Sequence, residues 1–242
     1  MPAPDKEFIR QAFDSITPRY DLLNQILSFG QAGRWRKKAC EIVLQTPHPS
    51  LSPGERARVR GMTSILDLGC GTGKFLEAFL QKRTWESATG VDFSVEMLKR
   101  ARETVRGNVM WLQEDFDSLP FLGSSFDLVI SAFTLRSVQK LPEFLDKVHT
   151  ILTPGGRAAF LDLTRPRNFW ARLFFYPYLK WVLPLLGWLL SGDRKAYGFL
   201  SDSVRKFQAP EDTIKLMQAT GYRDLTSKSF AFGAATLIIG TK

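Results

Sequence analysis

Apolar positions along the chain follow two different periods. Short apolar runs, typical of buried strands, alternate with longer segments in which apolar residues recur every three or four positions, as on one face of a helix. Strands are predicted at residues 64–69, 88–93, 108–112, 126–132 and 157–163, with two closing strands within 222–239 after a last helix at 210–220. Strands that alternate with helices in this way form parallel βαβ units. The pattern therefore predicts an α/β fold with a mostly parallel sheet flanked by helices.

Other segments lie outside this alternating core. Residues 5–45 have helical spacing and are predicted to form a cap ahead of the sheet. With 242 residues, 44% of them hydrophobic, the chain is long enough for one domain with its own core. The predicted division is a helical cap at 1–45, a proline-rich loop at 46–62, a central core at 63–165, an apolar insertion at 166–202 and a carboxyl-terminal helix with closing strands at 203–242.

A glycine-rich segment follows the first predicted strand. It runs Asp67-Leu68-Gly69-Cys70-Gly71-Thr72-Gly73, and Val91-Asp92-Phe93 ends the second strand. Glycines let the backbone turn sharply and lie against a ligand, and an acid at the end of the second strand can accept hydrogen bonds from both hydroxyls of a ribose. Ser94 is the expected N-cap of the helix that follows. The alternative is a plain glycine-rich turn, but the second-strand acid favours a nucleoside-binding loop.

The spacing and the charge of this motif narrow the choice of ligand. The glycines follow G-x-G-x-G rather than the dinucleotide pattern G-x-G-x-x-G, and no P-loop lysine-serine pair follows them. Acidic Asp67 precedes the loop, which favours a ligand that has a positive charge and no phosphate. S-adenosylmethionine fits, because it has a sulfonium, an ammonium and an adenosine. The sequence therefore predicts this cofactor, bound by Asp67, Gly69, Gly71, Gly73 and Asp92.

Charge and cysteine content limit the partners. The formal net charge is +9, and basic residues cluster at 34–38 and around 165–172. Basic clusters beside apolar segments favour an anionic membrane surface, although ordinary solvated charges explain any one cluster equally well. Net charge alone indicates nonspecific attraction to any polyanion, and the chain has no motif for base recognition, so no nucleic-acid partner is expected. Cys40 and Cys70 lack metal-ligand spacing, and the amino terminus lacks a signal-peptide pattern, so we expect no metal and a cytoplasmic location.

Several segments resemble one family over nearly the whole chain. They are Phe13-Asp14-Ser15-Ile16, Tyr20-Asp21-Leu22-Leu23-Asn24, Leu27-Ser28-Phe29-Gly30, Trp35-Arg36, Leu119-Pro120-Phe121, Leu135-Arg136-Ser137-Val138, Leu152-Thr153-Pro154-Gly155-Gly156-Arg157 and Ser191-Gly192-Asp193. Together they resemble the ubiquinone and menaquinone biosynthesis C-methyltransferase family. The resemblance implies a class I, Rossmann-like methyltransferase fold with a seven-stranded sheet. It also implies transfer of a methyl group from S-adenosylmethionine to a ring carbon of a polyprenylated quinol, with S-adenosylhomocysteine as the product.

The resemblance further implies individual cofactor contacts. The matching positions are Thr72, Asp92, Asp115 and Phe116. Phe93 and Met97 are predicted to pack with Phe116 around the adenine, and Tyr20 to close over the methionyl end. For Met97 the alternative, an ordinary core residue, is the stronger one.

Three positions depart from the family pattern. Ser137 stands where the family usually has asparagine, Asp162-Leu163 replaces a glutamate-phenylalanine pair, and Ala132 lacks the hydroxyl of a serine that contacts the cofactor in some members. The first two replacements keep a polar or acidic function. Methyl transfer is expected to tolerate all three.

Arg136 is the predicted catalytic residue. Methyl transfer to carbon needs an electron-rich ring, and a phenol, with a pKa of about 10, must lose its proton to become one. A fixed guanidinium just beyond the fourth strand would stabilise the developing phenolate. A structural ion pair on the same loop is the alternative. His48 and His149 have no motif that places them at the site, so histidine catalysis is not expected.

Residues 169–190 are unusually apolar and aromatic, and the segment is predicted to form a lid. Arg172, Pro177, Lys180 and Pro184 interrupt it, which argues against a membrane-spanning helix. Three alternatives stay open: peripheral contact with an anionic membrane, a channel for the prenyl tail, and a helix buried against the sheet.

Two other functions also stay open. A methyltransferase for another small molecule, a protein or RNA would share the cofactor loop, although the chain has neither an Asn/Asp-Pro-Pro-aromatic motif nor a Pro-Cys nucleophile. A non-catalytic subunit with this fold is less favoured, because the glycines and Asp92 are intact. The sequence leaves open a naphthoquinol or a benzoquinol ring, with a weak preference for the first, the length of the tail, and whether the chain forms a homodimer.

Overall fold

A seven-stranded sheet is the centre of the molecule, and its strands run in the order β3-β2-β1-β4-β5-β7-β6. The computed structural model describes residues 17, 20–46, 63–115, 118–164, 166, 173, 176–182 and 209–242. The strands are β1 Ser64–Leu68, β2 Ser87–Asp92, β3 Met110–Gln113, β4 Phe126–Ala132, β5 Leu152–Leu163, β6 Arg223–Phe230 and β7 Ala235–Thr241. Strands β1 to β5 pair in parallel, whereas β7 is antiparallel to both β5 and β6. The predicted mostly parallel sheet is confirmed.

Helices pack on both faces of this sheet. In the described ranges they are α1 Tyr20–Leu27, α2 Gln31–Gln45, α3 Lys74–Leu80, α4 Val95–Thr104, α5 Leu141–Ile151 and α6 Pro210–Ala219, with 3-10 turns at Leu135–Ser137 and Ala231–Gly233 and a π-helical turn at Tyr178–Val182. Ser94 caps α4 as predicted, since its hydroxyl accepts the Met97 N–H at 3.1 Å. No helix in these ranges combines the length and the apolar character that crossing a bilayer requires.

The start of β5 differs from the prediction. The fifth strand was predicted at 157–163, after the turn-forming sequence Pro154-Gly155-Gly156, but α5 ends at Ile151 and β5 begins at Leu152. The two glycines pair with the last residue of the chain: the Gly155 N–H donates to the Lys242 carbonyl at 3.3 Å, and the Lys242 N–H donates to the Gly156 carbonyl at 2.9 Å. Gly155 and Gly156 therefore lie in a strand although glycine disfavours strands, because Lys242, at the far end of the chain, pairs with them.

Alternation along the strands divides the core into two layers. One cluster of buried side chains joins the sheet to α2 and α3, and it includes Trp35, Val43, Phe75, Phe79 and Ile65. The other joins the sheet to α5 and α6, and it includes Phe144, Leu145, Met217, Leu66 and Leu68. Successive strand residues point to opposite faces, so Asp67 faces the same side as Ile65 and lies beneath α3.

Arg157 anchors the cap to the sheet. From β5, its Nη1 donates to the Val43 carbonyl at 3.1 Å and its Nη2 donates to the Thr46 carbonyl at 2.6 Å. Those carbonyls end α2, where a positive charge is favourable. Burial lowers the pKa of the Arg157 guanidinium to about 10. The cap helix α2 is therefore held in place against the core.

Several predicted segments fall outside the described residues. They are residues 1–16 of the cap, the loop at 47–62, and most of the insertion and lid, at 167–172, 174–175 and 183–208. The predicted division of the chain into five segments stays a prediction.

Candidate cofactor site

The glycine loop has the backbone conformation that its sequence predicts. It follows β1, and Gly69, Gly71 and Gly73 have φ values of 67°, 54° and 77°, in the left-handed region that favours glycine. A Cβ at Gly73 would lie 2.6 Å from Cγ2 of Val105, whereas a Cβ at Gly71 would meet no heavy atom of the described structure within 4 Å. Gly73 is therefore required for packing, and the Gly71 backbone is open to a ligand.

Asp92 organises this loop from the end of β2. Its carboxylate is buried, Oδ2 accepts the Gly71 N–H at 2.8 Å, and Oδ1 accepts the Ser94 N–H at 3.0 Å. A carboxylate at the end of the second strand of a βαβ unit can accept hydrogen bonds from the hydroxyls of a ribose. Asp92 ends β2 as predicted, and its carboxylate also supports the loop and the N-terminus of α4. Its contact with a cofactor stays a prediction.

Asp67 lies beneath the loop with one oxygen unpartnered. Its side chain is fully buried, and Oδ2 accepts the Leu76 N–H at 3.2 Å. Among the described residues, Oδ1 has no hydrogen-bond partner. Burial raises the pKa of this carboxyl well above its ordinary value, and the Leu76 N–H and the positive charge of Arg36 oppose that rise. A buried carboxylate oxygen of this kind fits the ammonium group of an amino acid.

Asp67 and part of the glycine loop line one pocket together with residues of the cap, whereas Gly73 and Asp92 are not among its lining residues. The lining consists of Tyr20, Arg36, Asp67, Gly69, Cys70, Gly71, Thr72, Lys74, Phe75 and Ala132. Five of them were predicted as cofactor contacts: Tyr20, Asp67, Gly69, Gly71 and Thr72. Arg36 was assigned only to a basic surface cluster, and the segment Trp35-Arg36 was the one signal that could have identified it. Burial raises the pKa of the Cys70 thiol well above its ordinary value, so this residue is a small loop side chain rather than a nucleophile.

Helix α1 closes on the glycine loop through a hydrogen bond that the sequence did not predict. The Thr72 hydroxyl donates to Oδ1 of Asp21 at 2.8 Å, and Thr72 is buried. The two residues are 51 positions apart. This bond brings Tyr20, at the start of α1, to the pocket beside Thr72.

The predicted adenine contacts lie beyond the ends of β2 and β3. Phe93 follows β2, and its carbonyl accepts the Gln113 side-chain amide at 3.4 Å. Asp115 lies just after β3, where its carbonyl accepts the Ser118 N–H at 3.1 Å. Met97 is buried within α4 and is not part of the pocket lining, so the core alternative describes its position better. Phe116 lies outside the described residues.

Arg136 lies in the 3-10 turn after β4 and forms a buried ion pair. Its Nη1 contacts Oδ1 of Asp162 at 2.8 Å, and the two side chains are 6% and 3% exposed. Nη1 also donates to the Phe133 carbonyl, and Asp162 accepts the Arg136 N–H at 3.3 Å and the Leu163 N–H at 2.7 Å. The structural ion pair that was the alternative to a catalytic role for Arg136 is therefore present. The same contacts hold its guanidinium in one orientation at the carboxyl end of the sheet.

The remaining predicted features lie elsewhere. His149 packs edge-on against the Tyr222 ring, with centroids 4.9 Å apart, and burial lowers its pKa. His48 is outside the described residues. Within the part of the chain that the structure describes, no three His, Cys, Asp or Glu side chains come together as metal ligands would.

Comparison with known proteins agrees with this geometry. The model of the ubiE/COQ5 methyltransferase family matches residues 2–242. A demethylmenaquinone methyltransferase of Thermus thermophilus is 35% identical over 233 residues, which are 95% of this chain and 99% of that protein. A ubiquinone/menaquinone biosynthesis C-methyltransferase UbiE of Geobacter sulfurreducens is 35% identical over 243 residues, 98% of this chain and 89% of that protein.

A solved structure shows the same fold. It is a SAM-dependent methyltransferase of Thermotoga maritima, described as a possible histamine N-methyltransferase, and it aligns with a TM-score of 0.64 over 96% of this chain and 99% of its own. The sequence identity is 18%, so the likeness concerns the fold alone.

Proposed function

The chain belongs to the ubiE/COQ5 methyltransferase family, and on that premise we propose that it methylates a ring carbon of a polyprenylated quinol with S-adenosylmethionine as the methyl donor. The names of its relatives refer to menaquinone and ubiquinone biosynthesis. One observation in the site carries the proposal: Asp67, whose Oδ1 has no partner among the described residues, and Gly71, whose backbone is open, line the same pocket. That pairing fits a cofactor with a cationic amino-acid end and a nucleoside.

Four residues of the site are assigned roles in binding the cofactor. When bound, S-adenosylmethionine supplies a methyl group on a sulfonium, which a ring carbon attacks in line. Asp67 would accept hydrogen bonds from the ammonium group, and Asp92, which accepts the Gly71 N–H, would accept hydrogen bonds from the ribose. Thr72 and Tyr20 close the methionyl end. The rigid loop thereby fixes the direction of attack.

Arg136 is assigned to the substrate half of the reaction. Loss of a phenolic proton to water or to a carboxylate makes the adjacent ring carbon nucleophilic, and the guanidinium stabilises the negative charge. With the methyl donor bound, attack of this carbon on the methyl group would release a neutral thioether, and loss of the proton from the methylated carbon would restore the aromatic ring. Asp162 orients the guanidinium through the 2.8 Å ion pair.

Substitution of Arg136 distinguishes a catalytic role of its guanidinium from a purely structural one. Arg136→Ala would leave Asp162 buried and unpaired, at a cost to stability of about 3–5 kcal/mol. Arg136→Lys keeps the charge, so it is the informative variant. We expect kcat to fall by about 100-fold or more, with cofactor Kd nearly unchanged. A lower melting temperature with unchanged kcat would leave Arg136 only its structural ion pair.

Exposed apolar side chains support peripheral contact with a membrane or with the prenyl tail. Phe29, after α1, is 74% exposed and its ring contacts Tyr178 with centroids 5.7 Å apart. Trp181 in the same π-helical turn is 67% exposed, and Lys180 lies over its ring at 5.1 Å. Exposed aromatic residues beside a lysine are typical of an interfacial anchor.

Vesicle flotation tests this surface. Phe29→Ser and Trp181→Ser are expected to reduce binding to vesicles with anionic lipid. Leu122→Ser is the matched control, because Leu122 is 84% exposed and lies just before the amino-terminal end of β4, outside both α1 and the π-helical turn. Equal binding by all three variants would reject the membrane role.

A methylation assay tests the function itself. Purified protein, labelled S-adenosylmethionine and reduced demethylnaphthoquinol or benzoquinol are combined, and the methylated position is determined by mass spectrometry and NMR. We expect label at a ring carbon of at least one quinol, with Asp67→Asn as the negative control. Binding of the cofactor without transfer to either quinol would favour another small molecule as the acceptor.

A further inference from the structure

Arg36 enters the cofactor pocket from the cap rather than from the methyltransferase core. It lies on α2, and it lines the pocket together with Asp67, Gly71 and Thr72. Its neighbours on the same helix turn, Arg34 and Lys37, are exposed, whereas Arg36 is half-buried. The basic residues at 34–38 therefore do not all lie on one surface, because Arg34 and Lys37 are exposed whereas Arg36 lines the pocket.

An aromatic ring sets the position of the Arg36 guanidinium. Cζ of Arg36 lies over the Phe133 ring, 5.1 Å from its centroid. The Phe133 ring also contacts Trp35, with centroids 6.5 Å apart. Phe133 has a φ of 63°, an uncommon conformation for a bulky residue, and its N–H donates to the Leu161 carbonyl at 2.7 Å. A cation–π contact of this kind leaves the edge of the guanidinium available for hydrogen bonds.

The charges of the pocket are not neutralised within it. Among the described residues, no carboxylate forms an ion pair with Arg36, although its positive charge reaches Asp67 and opposes the rise of that pKa. Lys74, the other cation of the pocket lining, already pairs with Glu77 at 3.0 Å. Asp67 and Arg36 thus present one acidic and one basic group to the same pocket, each with hydrogen-bonding capacity left.

We propose that Arg36 binds the α-carboxylate of the methionyl part of the cofactor, while Asp67 binds its ammonium. The inference rests on the proposed function, because it assumes S-adenosylmethionine in this pocket. A zwitterionic amino acid has both charges on substituents of one carbon, and the Asp67–Arg36 pair is complementary to it. The planar guanidinium can donate two parallel hydrogen bonds to a carboxylate, which a lysine cannot.

Rigid anchoring of α2 makes Arg36 a preorganised contact. Trp35, Ala39, Cys40 and Val43 of this helix are buried in the core, and Arg157 holds its carboxyl-terminal end. Little conformational freedom of the backbone is therefore lost when the carboxylate binds. The cap acts as part of the cofactor site, and the core binds the nucleoside.

Three ligands separate the carboxylate from the rest of the cofactor. S-adenosylhomocysteine has both charges of the amino acid, its decarboxylated analogue keeps only the amine, and 5′-methylthioadenosine lacks both. Calorimetry on the wild-type protein is expected to show a preference of about 10- to 150-fold for S-adenosylhomocysteine over the decarboxylated analogue, as for loss of one charge-assisted contact.

Substitution of Arg36 should remove that preference and nothing else. In Arg36→Met, which keeps the apolar stem, we expect the preference to fall below about threefold, with affinity for 5′-methylthioadenosine unchanged. Arg36→Lys should retain part of the preference. Arg34→Met, an exposed charge removed from the same helix, is the matched control and should bind all three ligands like the wild type.

Each outcome supports or overturns the assignment. A full carboxylate preference in Arg36→Met overturns it, as does an equal loss of affinity for all three ligands. A raised KM for the quinol with an unchanged preference also overturns it, and assigns Arg36 to the substrate. If the wild-type protein binds none of the three ligands, the proposed function fails as well. Binding by the wild type with no effect of Arg36→Met defeats this inference alone.

Discussion

Asp67→Asn distinguishes the effect of the buried Asp67 carboxylate on folding stability from its effect on cofactor affinity. In the free protein, burial raises the pKa of Asp67, so ionisation of the group opposes folding. Asparagine has nearly the same shape, and its carbonyl oxygen can still accept the Leu76 N–H that Oδ2 accepts at 3.2 Å. It removes the charge but keeps this hydrogen bond. The variant is therefore expected to fold at least as stably as the wild type.

The sign of the pH dependence follows from the raised pKa. An unfolded aspartate titrates near a pKa of about 4, so below that pH both states are protonated and the substitution has little effect on stability. As the pH rises towards the raised folded-state pKa, the unfolded wild type ionises first and the wild type loses stability. The melting temperature of Asp67→Asn should therefore exceed that of the wild type increasingly from about pH 4 upwards.

Cofactor affinity should change in the opposite direction. The variant loses one charge-assisted hydrogen bond to the ammonium, of about 1.5–3 kcal/mol, which is about 10- to 150-fold in Kd. Calorimetry with S-adenosylhomocysteine measures the affinity, and thermal melts between pH 5 and pH 8 measure the stability. Asp146→Asn, an exposed acid on α5, is the matched control for net charge. Unchanged affinity in Asp67→Asn, or a melting temperature several degrees lower at every pH, would refute the reasoning.

Three further predictions follow from individual contacts. At a pH below the raised pKa of Asp67 in the free protein, cofactor binding should release protons, because the ammonium favours the ionised carboxylate. Calorimetry in buffers of different ionisation enthalpy detects this release, and a buffer-independent heat contradicts it. Gly71→Ala should lower the free energy of unfolding by only about 1 kcal/mol but weaken cofactor binding. Gly73→Ala, whose Cβ would lie 2.6 Å from Cγ2 of Val105, should lower the free energy of unfolding by about 2–4 kcal/mol. Denaturant unfolding measures the stability and calorimetry the affinity, and a larger loss of stability in Gly71→Ala would contradict the assignment of Gly73 to packing and Gly71 to the ligand. Asp127→Ala should lower the free energy of unfolding at pH 7 by about 2–4 kcal/mol, because backbone N–H groups of Thr63 and Ser64 lose their acceptor. Burial alone would raise the Asp127 pKa, but these hydrogen bonds lower it. The stability difference between the wild type and Asp127→Ala should therefore be complete above about pH 4 and shrink as the pH falls through the folded-state pKa. A stability difference that stays constant between pH 2 and pH 7 would show that the ionised carboxylate is not its cause.

The main elements of the fold were predictable because their signals are local. Apolar period and turn residues identified β4 at its observed bounds, and the Ser94 cap marked the start of α4. The glycine spacing predicted the loop, since left-handed φ values are a property of single residues. The start of β5 was missed because Gly155 and Gly156 pair with Lys242, at the far end of the sequence.

The site was predictable only in the half that the βαβ unit builds. Parallel strands that are neighbours in the chain bring their carboxyl ends to one edge, so Asp67, the glycines and Asp92 had to meet there. Arg36 lines the pocket from the cap, and Asp21 accepts the hydrogen bond of Thr72 there. Of the cap residues, only Tyr20 was predicted at the site, and that prediction came from the family resemblance. Packing of α2 on α3 decided which face of α2 turns towards the loop.

By itself, the sequence determined the alternating fold, the nucleoside-binding loop and the family, because each depends on residue type and on short spacing along the chain. Only the tertiary structure decided which charges stay unpaired and which are neutralised. Arg136 pairs with Asp162, 26 residues away, whereas Oδ1 of Asp67 has no partner in the described structure and Arg36 lies over the Phe133 ring. Electrostatic energy depends on distance in space and on burial, and neither is a property of sequence separation.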